Sequence, residues 1–342
     1  SEPMQLGVAN GVLDLRRQEL FPLTPGLLVS KRCPVAFDPE AEAPRFEDFM
    51  ATIQPNPETR GFLQRFAGLC LTGLTSEQIF MFLHGTGANG KSVLVEILMW
   101  VLGDHSLKLA TETLMHHQRS PQGPSPDIVA LKGRRLAVAT ETEEGRRLAE
   151  ARIKELTGGD TLTGRVPYGR EAVSFDPSHK LLVVGNHRPD ITDQSHGMWR
   201  RVALVPFETT IPEGQRDPRL AERLKAEGSG ILNWLLSGLR DYLTDGLEIP
   251  EAVRAATAGY RDEQDLLGEW LAEHTEPGDT QSARKDELYQ AYRAWALTNG
   301  HQPMSKSRLT RRLGERGFVS SRDKRRLLGL ALNGSGRATA RM

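Results

Sequence analysis

Apolar residues in the middle of the chain fall into short, continuous runs. Four runs of strand length, at residues 79–83, 136–140, 180–185 and 202–207, are separated by polar or glycine-rich segments. A continuous apolar run indicates a strand that is buried on both faces, and the intervening segments are long enough for crossover helices. The pattern therefore predicts an α/β domain with a parallel sheet, which we place at residues 76–215.

A small α+β region is predicted ahead of this domain, over residues 1–75. Apolar and polar positions alternate around Asn10-Gly11, a dipeptide typical of hairpin turns, which predicts short strands between residues 7 and 21. A proline- and acid-rich connector follows over 34–44. Two helices are then indicated by apolar residues at helical spacing. These residues are Phe46, Phe49, Met50 and Ile53, and then Phe62, Phe66 and Leu69.

The chain after the sheet is predicted to begin with a helical linker or lid over 216–264. Residues 265–332 then show two amphipathic helices, a short helix capped by Ser305, and an alternating stretch around a charged turn. Three helices and a hairpin predict a winged-helix domain, whose third helix commonly meets DNA. Residues 333–342 are expected to form a flexible tail.

Charge is distributed unevenly along the chain. The 342 residues carry 44 basic and 44 acidic side chains, yet residues 304–342 hold eleven Lys or Arg against Glu315 and Asp323, a local charge of +9. A basic end on a neutral chain predicts a local contact with a polyanion. A solvated basic face or a protein contact is the alternative. The candidate DNA-binding residues on the short helix are Lys306, Arg308, Arg311 and Arg312.

Composition excludes several other classes of protein. Cys33 and Cys70 form neither a metal spacing nor a disulfide framework, which indicates a reducing compartment. We expect a cytoplasmic protein, in a bacterial host. No apolar run approaches transmembrane length and no signal peptide is visible, so no membrane partner is expected. His116-His117 lacks a third ligand at suitable spacing and is interpreted as part of a solvated loop. The residues before Met4 suggest a piece of a longer protein.

A glycine-rich loop follows the first of the four apolar runs. Gly85, Gly90, Lys91 and Ser92 satisfy the phosphate-loop pattern, between a buried strand and an apolar helix over 93–102 that Gly103 ends. Glycines let backbone N–H groups approach a polyphosphate, the lysine adds a full charge, and the serine hydroxyl is a ligand for Mg²⁺. The predicted ATP-binding residues are Gly85, Thr86, Gly87, Ala88, Asn89, Gly90, Lys91 and Ser92.

Polar residues also follow or precede the other three apolar runs. Glu141 follows the second run, where a carboxylate holds Mg²⁺ or orients the attacking water, and Glu143 is a second candidate for water activation. Asn186 follows the third run and is either a γ-phosphate contact or a turn cap. Arg200 and Arg201 precede the fourth run, where they are surface residues or reach the nucleotide of a neighbouring subunit.

A predicted hairpin between the second and third runs carries candidate DNA contacts. Two glycines end a helix at Gly158-Gly159, and a β-alternating stretch then turns at residues 167–170. Arg165, Tyr168 and Arg170 cluster at this turn, and cations beside an aromatic ring suit a nucleic-acid strand. An exposed surface hairpin is the alternative.

These motifs form an ordered set that resembles superfamily 3 helicases, in particular the phage, plasmid and poxvirus primase-helicase family. The set comprises the phosphate loop, Ala-Thr-Glu-Thr-Glu at 139–143, Ile-Lys-Glu-Leu-Thr-Gly-Gly-Asp at 153–160, Gly-Asn-His-Arg-Pro at 185–189 and Trp-Arg-Arg at 199–201. Residues 10–15 and 62–65 are similar to the domain that precedes the motor in this family, and the end of the chain from about Leu266 is similar to its winged helix. The resemblance covers nearly the whole chain.

The resemblance implies a ring-shaped homohexamer of AAA+ type that uses ATP and Mg²⁺ to translocate on single-stranded DNA and to act on forked duplex DNA. It makes Lys91 and Ser92 the Walker A residues, Glu141 the Walker B residue, and Asn186 the sensor. Some relatives have two adjacent acids where this chain has Glu141-Thr142, which leaves the catalytic carboxylate open between Glu141 and Glu143.

The resemblance also implies roles away from the phosphate loop. Arg201 matches the trans-acting arginine finger better than Arg200 does, and Lys154 lies in the family's third motif, which is implicated in DNA contact. No primase motif is present, and a primase domain or protein would precede the motor.

Two other functions are weighed against a helicase. One is a DNA-binding replication initiator or scaffold that uses ATP as an assembly switch, which unwinding of a forked duplex would distinguish. The other is a small-molecule kinase built on a phosphate loop, which needs neither an arginine finger nor a winged helix.

Overall fold

The computed structural model describes residues 2–24, 30–116, 125–140, 145–166 and 171–340 of the chain. The chain forms two compact units, Ser1–Arg261 and Asp262–Met342. Each unit is described by itself below.

The first unit begins with a small antiparallel sheet and two helices. The strands β1 (Gln5–Val8), β2 (Gly11–Asp14) and β3 (Glu19–Phe21) lie in sequential order, and Val8 pairs with Gly11 across the first turn. Helices α1 (Pro44–Ile53) and α2 (Pro57–Leu69) follow. The strands around Asn10-Gly11 and both helices are confirmed. Asn56 caps α2 by accepting hydrogen bonds from the N–H groups of Glu58 and Thr59.

A five-stranded parallel sheet forms the centre of the first unit. Its strands lie in the order β10-β4-β9-β6-β5, and every neighbouring pair is parallel. The α/β fold with a parallel sheet and all four predicted strands are confirmed. The elements in chain order are β4 (Phe80–His84), α3 (Lys91–Leu102), β5 (Ser106–Lys108), α4 (Pro126–Val129), β6 (Leu136–Thr140), α5 (Glu150–Thr157), β7 (Leu162–Gly164), β8 (Val173–Phe175), β9 (Lys180–Gly185), α6 (His196–Trp199) and β10 (Val202–Pro206).

The parallel sheet is buried on both faces, as its continuous apolar strands require. Met81 and Leu83 face a core that includes α1, α2 and α3, whereas Phe80 and Phe82 face a second core that includes α5 and α6. The edge strand β5 escaped prediction because its Ser106 and Lys108 are polar and it has only three residues. Its position in the sheet is fixed by pairing with β6.

Three further helices follow β10: α7 (Leu220–Lys225), α8 (Gly228–Asp245) and α9 (Glu251–Glu263). Helix α8 lies against α2, where two glycines allow the backbones to meet. A Cβ atom on Gly68 would lie 2.2 Å from the backbone nitrogen of Leu239, and one on Gly238 would lie 2.1 Å from the carbonyl oxygen of Gln64. Within the predicted helical linker over 216–264, α8 therefore packs on α2, which precedes the sheet.

Two buried cations join the segment after α2 to the amino end of the sheet. The guanidinium of Arg135 donates to the carbonyl oxygens of Leu71 and Gln5, and the ammonium of Lys180 donates to those of Thr72 and Leu74. Burial lowers the pKa of Lys180 to about 7 and that of Arg135 to about 10. These bonds fix the connection between the helices and β4.

The second unit surrounds a separate apolar core that contains Trp270, Tyr292 and Trp295. The two amphipathic helices, the short helix after Ser305 and the hairpin are confirmed. Strand β11 was not predicted, and its antiparallel partner is β13, so the sheet order is β11-β13-β12. The elements are α10 (Leu266–His274), β11 (Thr275–Arg284), α11 (Lys285–Thr298), α12 (Lys306–Glu315), β12 (Val319–Ser320), β13 (Arg326–Leu332) and α13 (Gly334–Thr339).

The flexible tail predicted over 333–342 is corrected for its described residues. Residues 334–339 form helix α13, and the side chain of Asn333 caps it by accepting from the N–H of Gly336. Gly336 packs so closely that a Cβ atom would lie 2.2 Å from the carbonyl oxygen of His274. The segment has few apolar residues, so its sequence carried no periodic signal for this packing.

Two buried histidines predict an acid-sensitive fold. Burial, with the charges of Arg135 and Lys31, lowers the pKa of His105 to about 3, and burial with Lys180 lowers that of His179 to about 4. Between these values and about 6.5 the unfolded chain binds protons that the folded chain does not, so stability is full above pH 6.5 and falls as pH decreases. Each histidine should contribute a slope of about 1 kcal/mol per pH unit, measured by urea unfolding between pH 7 and 5.

The matched variants are His179→Gln and His105→Gln, with the exposed His196→Gln as control. The first two should each flatten the dependence of the unfolding free energy on pH, and the control should leave it unchanged. An identical slope in all four proteins would contradict the assignment.

Candidate nucleotide-binding site

The loop between β4 and α3 has the conformation that a phosphate site requires. Gly87, Ala88 and Gly90 have positive φ angles of 108°, 50° and 80°, and Gly90 is the N-cap of α3. Successive left-handed residues turn backbone N–H groups toward one point, and the amino end of a helix adds partial positive charge there. The loop therefore has the backbone geometry that is typical of an anion site.

Close packing explains the glycines at both ends of this loop. A Cβ atom on Gly85 would lie 2.4 Å from the carbonyl oxygen of Phe207, and one on Gly90 would lie 2.4 Å from Cγ2 of Ile53 in α1. Neither position has space for a side chain. The loop is thus held between the end of β10 and the helices that precede the sheet.

The ammonium of Lys91 is the centre of the site. Only 4% of Lys91 is exposed, and its Nζ donates to the carbonyl oxygen of Gly85 (2.8 Å), to Oδ1 of Asn89 (2.9 Å) and to Oδ1 of Asn186 (3.4 Å). Burial lowers the pKa of this lysine. The structure therefore brings together Lys91 and Asn186, which lie 95 residues apart in sequence.

Asn89 has a structural role that its place in the motif did not suggest. Its amide is buried, and while Oδ1 accepts from Lys91, Nδ2 donates to the carbonyl oxygen of Phe207 at 3.2 Å. Phe207 follows β10, and its own N–H donates to the carbonyl oxygen of His84. Asn89 thus links the lysine to the carboxyl end of the neighbouring strand. Two residues of separation gave no signal for this contact, because it depends on the left-handed loop.

The residues at this edge of the sheet fit a nucleoside triphosphate with Mg²⁺. Thr86 and Ser92 are exposed at the mouth of the loop, and Ser92 lies in the first turn of α3. Glu141 and Glu143 lie outside the described residues. Strand β6, which leads to them, ends at Thr140, and Thr140 pairs with Val184 in the strand that precedes Asn186. Within the described ranges, no group of three or more His, Cys, Asp or Glu residues forms a metal site by itself.

The arginine pair lies at the amino ends of the strands, whereas the phosphate loop lies at their carboxyl ends. The carbonyl oxygen of Arg201 accepts from the N–H of Phe80 at the beginning of β4, whereas the phosphate loop begins at the other end of that strand. Five strand residues span about 16 Å. The side chain of Arg201 donates to the carbonyl oxygen of Gly197 at 2.6 Å, and that of Arg200 donates to Gln78 at 3.1 Å. The structure does not bring either arginine to Lys91 of its own chain.

Of the candidate DNA contacts in the first unit, Lys154 and Arg165 lie within the described residues. Strands β7 and β8 form the predicted antiparallel hairpin, but Tyr168 and Arg170 lie outside the described residues. Arg165, which directly follows β7 on the side of the turn, is exposed, and its N–H donates to Oγ of Ser125. Lys154 forms an ion pair with Asp193, with 2.6 Å between Nζ and Oδ2.

The basic helix α12 of the second unit has partners for some of its charges. Lys306 forms an ion pair with Asp286, and Nε of Arg311 lies 3.6 Å from Oε1 of Glu315. Arg308 and Arg312 are half-buried, and both lie close enough to Tyr292 for their charges to act on it. The four predicted residues therefore share one helix, with Lys306 and Arg311 on its exposed side.

The helices of the described residues bear on membrane association. None of the helices found there has both the length and the apolar character needed to cross a bilayer.

Two family models and several viral proteins match parts of this chain. Residues 1–55 match the family model described as D5 N terminal like, and residues 83–201 match a family of unknown function, DUF5906. A protein of Acanthamoeba polyphaga mimivirus that is named a putative helicase is 31% identical over 274 residues, which are 73% of this chain and 28% of the viral protein. These matches are consistent with a D5-like primase-helicase family.

Other viral proteins similar to this chain carry related names. A putative helicase of Frog virus 3 is 28% identical over 73% of the chain and 28% of the relative, and a putative primase of African swine fever virus is 23% identical over 87% of the chain and 34% of the relative. The chain thus spans about a third or less of the length of these relatives.

A solved structure is similar in fold to this chain. The apo C-terminal region of NrS-1 matches with a TM-score of 0.54 at 14% identity, over 87% of this chain and 64% of that one. At this identity the likeness concerns the fold alone.

Replacement of Asn89 by alanine should destabilise the ligand-free protein. The change removes one acceptor from the buried ammonium of Lys91 and leaves the carbonyl of Phe207 without its side-chain donor. An unpaired buried polar group costs about 1–3 kcal/mol, so the free energy of unfolding in urea should fall by that amount.

Thr86→Ala, at an exposed position of the same loop, is the control and should change stability by less than about 0.5 kcal/mol. Equal unfolding midpoints for Asn89→Ala and the control would show that the amide does not support the loop.

Proposed function

We propose that this chain is the ATP-driven motor of a ring-forming DNA helicase that acts in the replication of a phage, plasmid or other mobile element. The observation that carries the proposal is the buried ammonium of Lys91, directed into a left-handed loop at the carboxyl end of β4 and shared with Asn186. The viral relatives named helicases or primases support a role in replication.

The strand order supports an AAA+ assignment for the first unit. In order of appearance in the chain, the strands of the parallel sheet lie fifth, first, fourth, third and second. The strand that ends at Asn186 therefore lies between the strand of the phosphate loop and the strand that leads to Glu141. A carboxylate on the third strand and an amide on the fourth would then flank the γ-phosphate, which is the arrangement that hydrolysis requires.

Each side chain has a role in this chemistry. Lys91 would leave Asn89 and bind β- and γ-phosphate oxygens, and the loop N–H groups would hold the same phosphates in place. Ser92 and Glu141 would hold Mg²⁺, which supplies charge neutralisation to the departing phosphoryl group. Glu141 or Glu143 would orient the attacking water, and Asn186 would position it.

The position of the arginines favours a site completed by a second subunit. Arg201 lies about 16 Å from the phosphate loop of its own chain, at the amino end of the sheet. A guanidinium at that end would face the nucleotide of the next subunit in a ring, where it cannot lose its proton and would neutralise developing charge. This is the basis on which we propose a homohexamer.

The second unit supplies a DNA-binding element in this proposal. Its elements run α10-β11-α11-α12-β12-β13, three helices and a three-stranded antiparallel sheet, before α13 follows, and this order supports a winged helix in which α12 meets DNA. The hairpin β7–β8 would contact single-stranded DNA through Arg165, Tyr168 and Arg170. Because a relative is named a primase, we also propose that the motor works beside a primase domain or protein.

Lys91→Ala should abolish both ATP hydrolysis and unwinding of a forked duplex. Loss of the fixed charge on the transferred phosphates should lower the hydrolysis rate at least about a hundredfold. The assays are phosphate release and strand separation, and the control is Lys225→Ala, a lysine paired with Glu96 on the surface.

Near-native hydrolysis by Lys91→Ala would contradict the phosphate-loop assignment. A wild-type protein that assembles on DNA with ATP, yet never separates the fork, would favour the initiator or scaffold instead.

Arg201→Ala should bind ATP and fold normally but hydrolyse ATP about 10³–10⁵ times more slowly. Mixing this variant with Glu141→Gln should restore part of the rate, because some interfaces then pair an intact Glu141 with an intact Arg201 of the neighbour. The measurement is the hydrolysis rate against mixing ratio under conditions of subunit exchange, and Arg200→Ala should be milder.

If mixed rings are verified by mass and no ratio restores activity, Arg201 does not act in trans. A strictly monomeric protein with the full hydrolysis rate would end the ring proposal.

A further inference from the structure

The segment that follows Asn186 is bonded at several points to the segment that contains α5. The N–H of Asp190 donates to the carbonyl oxygen of Arg146 (2.8 Å), and the N–H of Leu148 donates back to that of Asp190 (2.9 Å). Glu150 Oε1 accepts from both the N–H and the Oγ1 of Thr192, at 2.9 and 2.8 Å. The Lys154–Asp193 ion pair continues the series one helical turn later.

These bonds connect two places of different function in the proposed motor. One end of the segment is Asn186, whose side chain contacts Lys91 in the nucleotide site. Helix α5, at the other side, runs through Gly158-Gly159 into β7 and so into the hairpin β7–β8. A displacement at Asn186 can therefore reach the hairpin through these contacts.

The two side-chain pairs together fix the direction of α5. Glu150 and Lys154 are four residues apart, so they lie on the same face of the helix, about 6 Å apart along its axis. One pair alone would fix a single point and allow the helix to pivot. With both Thr192 and Asp193 engaged, rotation of the segment after Asn186 turns the helix with it.

The surroundings of Asp193 support a built contact. Burial alone would raise the pKa of this carboxyl, but hydrogen bonds from Lys154 and from the N–H of Ser195 hold it below its usual range. The side chains of Lys154 and Asp193 are only 36% and 31% exposed. The ammonium of Lys154 is thus already committed to a carboxylate, which is a poor arrangement for binding a DNA phosphate.

We propose that Lys154 and Asp193 are positioning residues that couple the nucleotide site at Asn186 to the DNA-binding hairpin, and that Lys154 does not contact DNA. The inference rests on the proposed function, since it assumes a motor with ATP at one end of this linkage and single-stranded DNA at the other. It assigns Lys154 a role different from the DNA contact that the sequence motif implied.

The test separates coupling from DNA binding. The proteins are Lys154→Ala, Asp193→Ala and the exchange Lys154→Asp with Asp193→Lys, together with the neutral near-isosteres Lys154→Gln and Asp193→Asn. The control is Arg152→Ala, which breaks an ion pair with Glu155 on the same helix. The measurements are ATP hydrolysis without DNA, its stimulation by saturating oligothymidylate, and the oligothymidylate Kd at several salt concentrations.

Both single alanine variants should keep their basal hydrolysis and DNA affinity within about twofold, while stimulation by DNA falls at least about fivefold, as expected for loss of a coupling contact. The exchanged pair should recover stimulation, because it restores the ion pair in reverse. The neutral variants should behave as the alanine variants do, and Arg152→Ala should match the wild type. Thermal unfolding identifies any variant that has lost its fold. If an alanine variant is unfolded, the stimulation measured for Lys154→Gln or Asp193→Asn tests the coupling instead.

Three outcomes would overturn the inference. A Lys154→Ala protein that binds DNA more weakly, with a salt slope smaller by about one, while Asp193→Ala binds normally, would make Lys154 a phosphate contact. Failure of the folded exchange variant to recover stimulation would exclude the ion pair as the link, and full stimulation in both single variants would exclude any coupling. A wild-type protein without ATP hydrolysis or DNA binding would instead refute the proposed function.

Discussion

A buried lysine determines how the first unit is arranged at the carboxyl end of its parallel sheet. A cation removed from water must be paired or solvated by fixed dipoles, because desolvation is costly. Lys91 meets this requirement with oxygens from three places: Gly85 at the end of β4, Asn89 in the loop, and Asn186 at the end of β9. The register of two strands and the left-handed loop are thereby tied to one atom. A phosphate group would replace some of these oxygens, so binding of an anion must alter the contacts between the three elements.

The amino end of the sheet is also fixed by buried cations that donate to carbonyl oxygens. Arg135 and Lys180 are buried, and they satisfy carbonyl oxygens of the segment that leaves α2. Helix α2 in turn meets α8 through Gly68 and Gly238, where nothing larger than hydrogen fits. The helices before and after the sheet are therefore part of its structural support. This explains why residues up to 261 form one compact unit although the sequence suggests three successive regions.

The sequence predicted those parts of the fold that bury apolar side chains continuously, and it failed where tertiary pairing decides. The strands β4, β6, β9 and β10 are apolar runs because both faces of the sheet are covered. Strand β11 and helix α13 are rich in polar residues and small residues, so only their partners in the folded unit fix them. In the candidate site, the motif letters located Lys91 and Asn186. The double contact of Asn89 and the pairing of Lys154 with Asp193, 39 residues apart, required the folded chain.

Strand β10 runs directly from the end of the sheet that carries Arg201 to the end that carries the phosphate loop. Arg201 immediately precedes it, and Phe207, which immediately follows it, accepts a hydrogen bond from Asn89 in the phosphate loop. The strand is parallel to β4 along its whole length and is largely buried, so one hydrogen-bonded strand joins Arg201 to Phe207. In the proposed ring, release of Asn89 from Lys91 when phosphate binds would alter the contact at one end of β10, and the arginine at the other end would face the next subunit. The same strand would then report the occupancy of one site to its neighbour, which is the physical requirement for subunits that hydrolyse ATP in sequence.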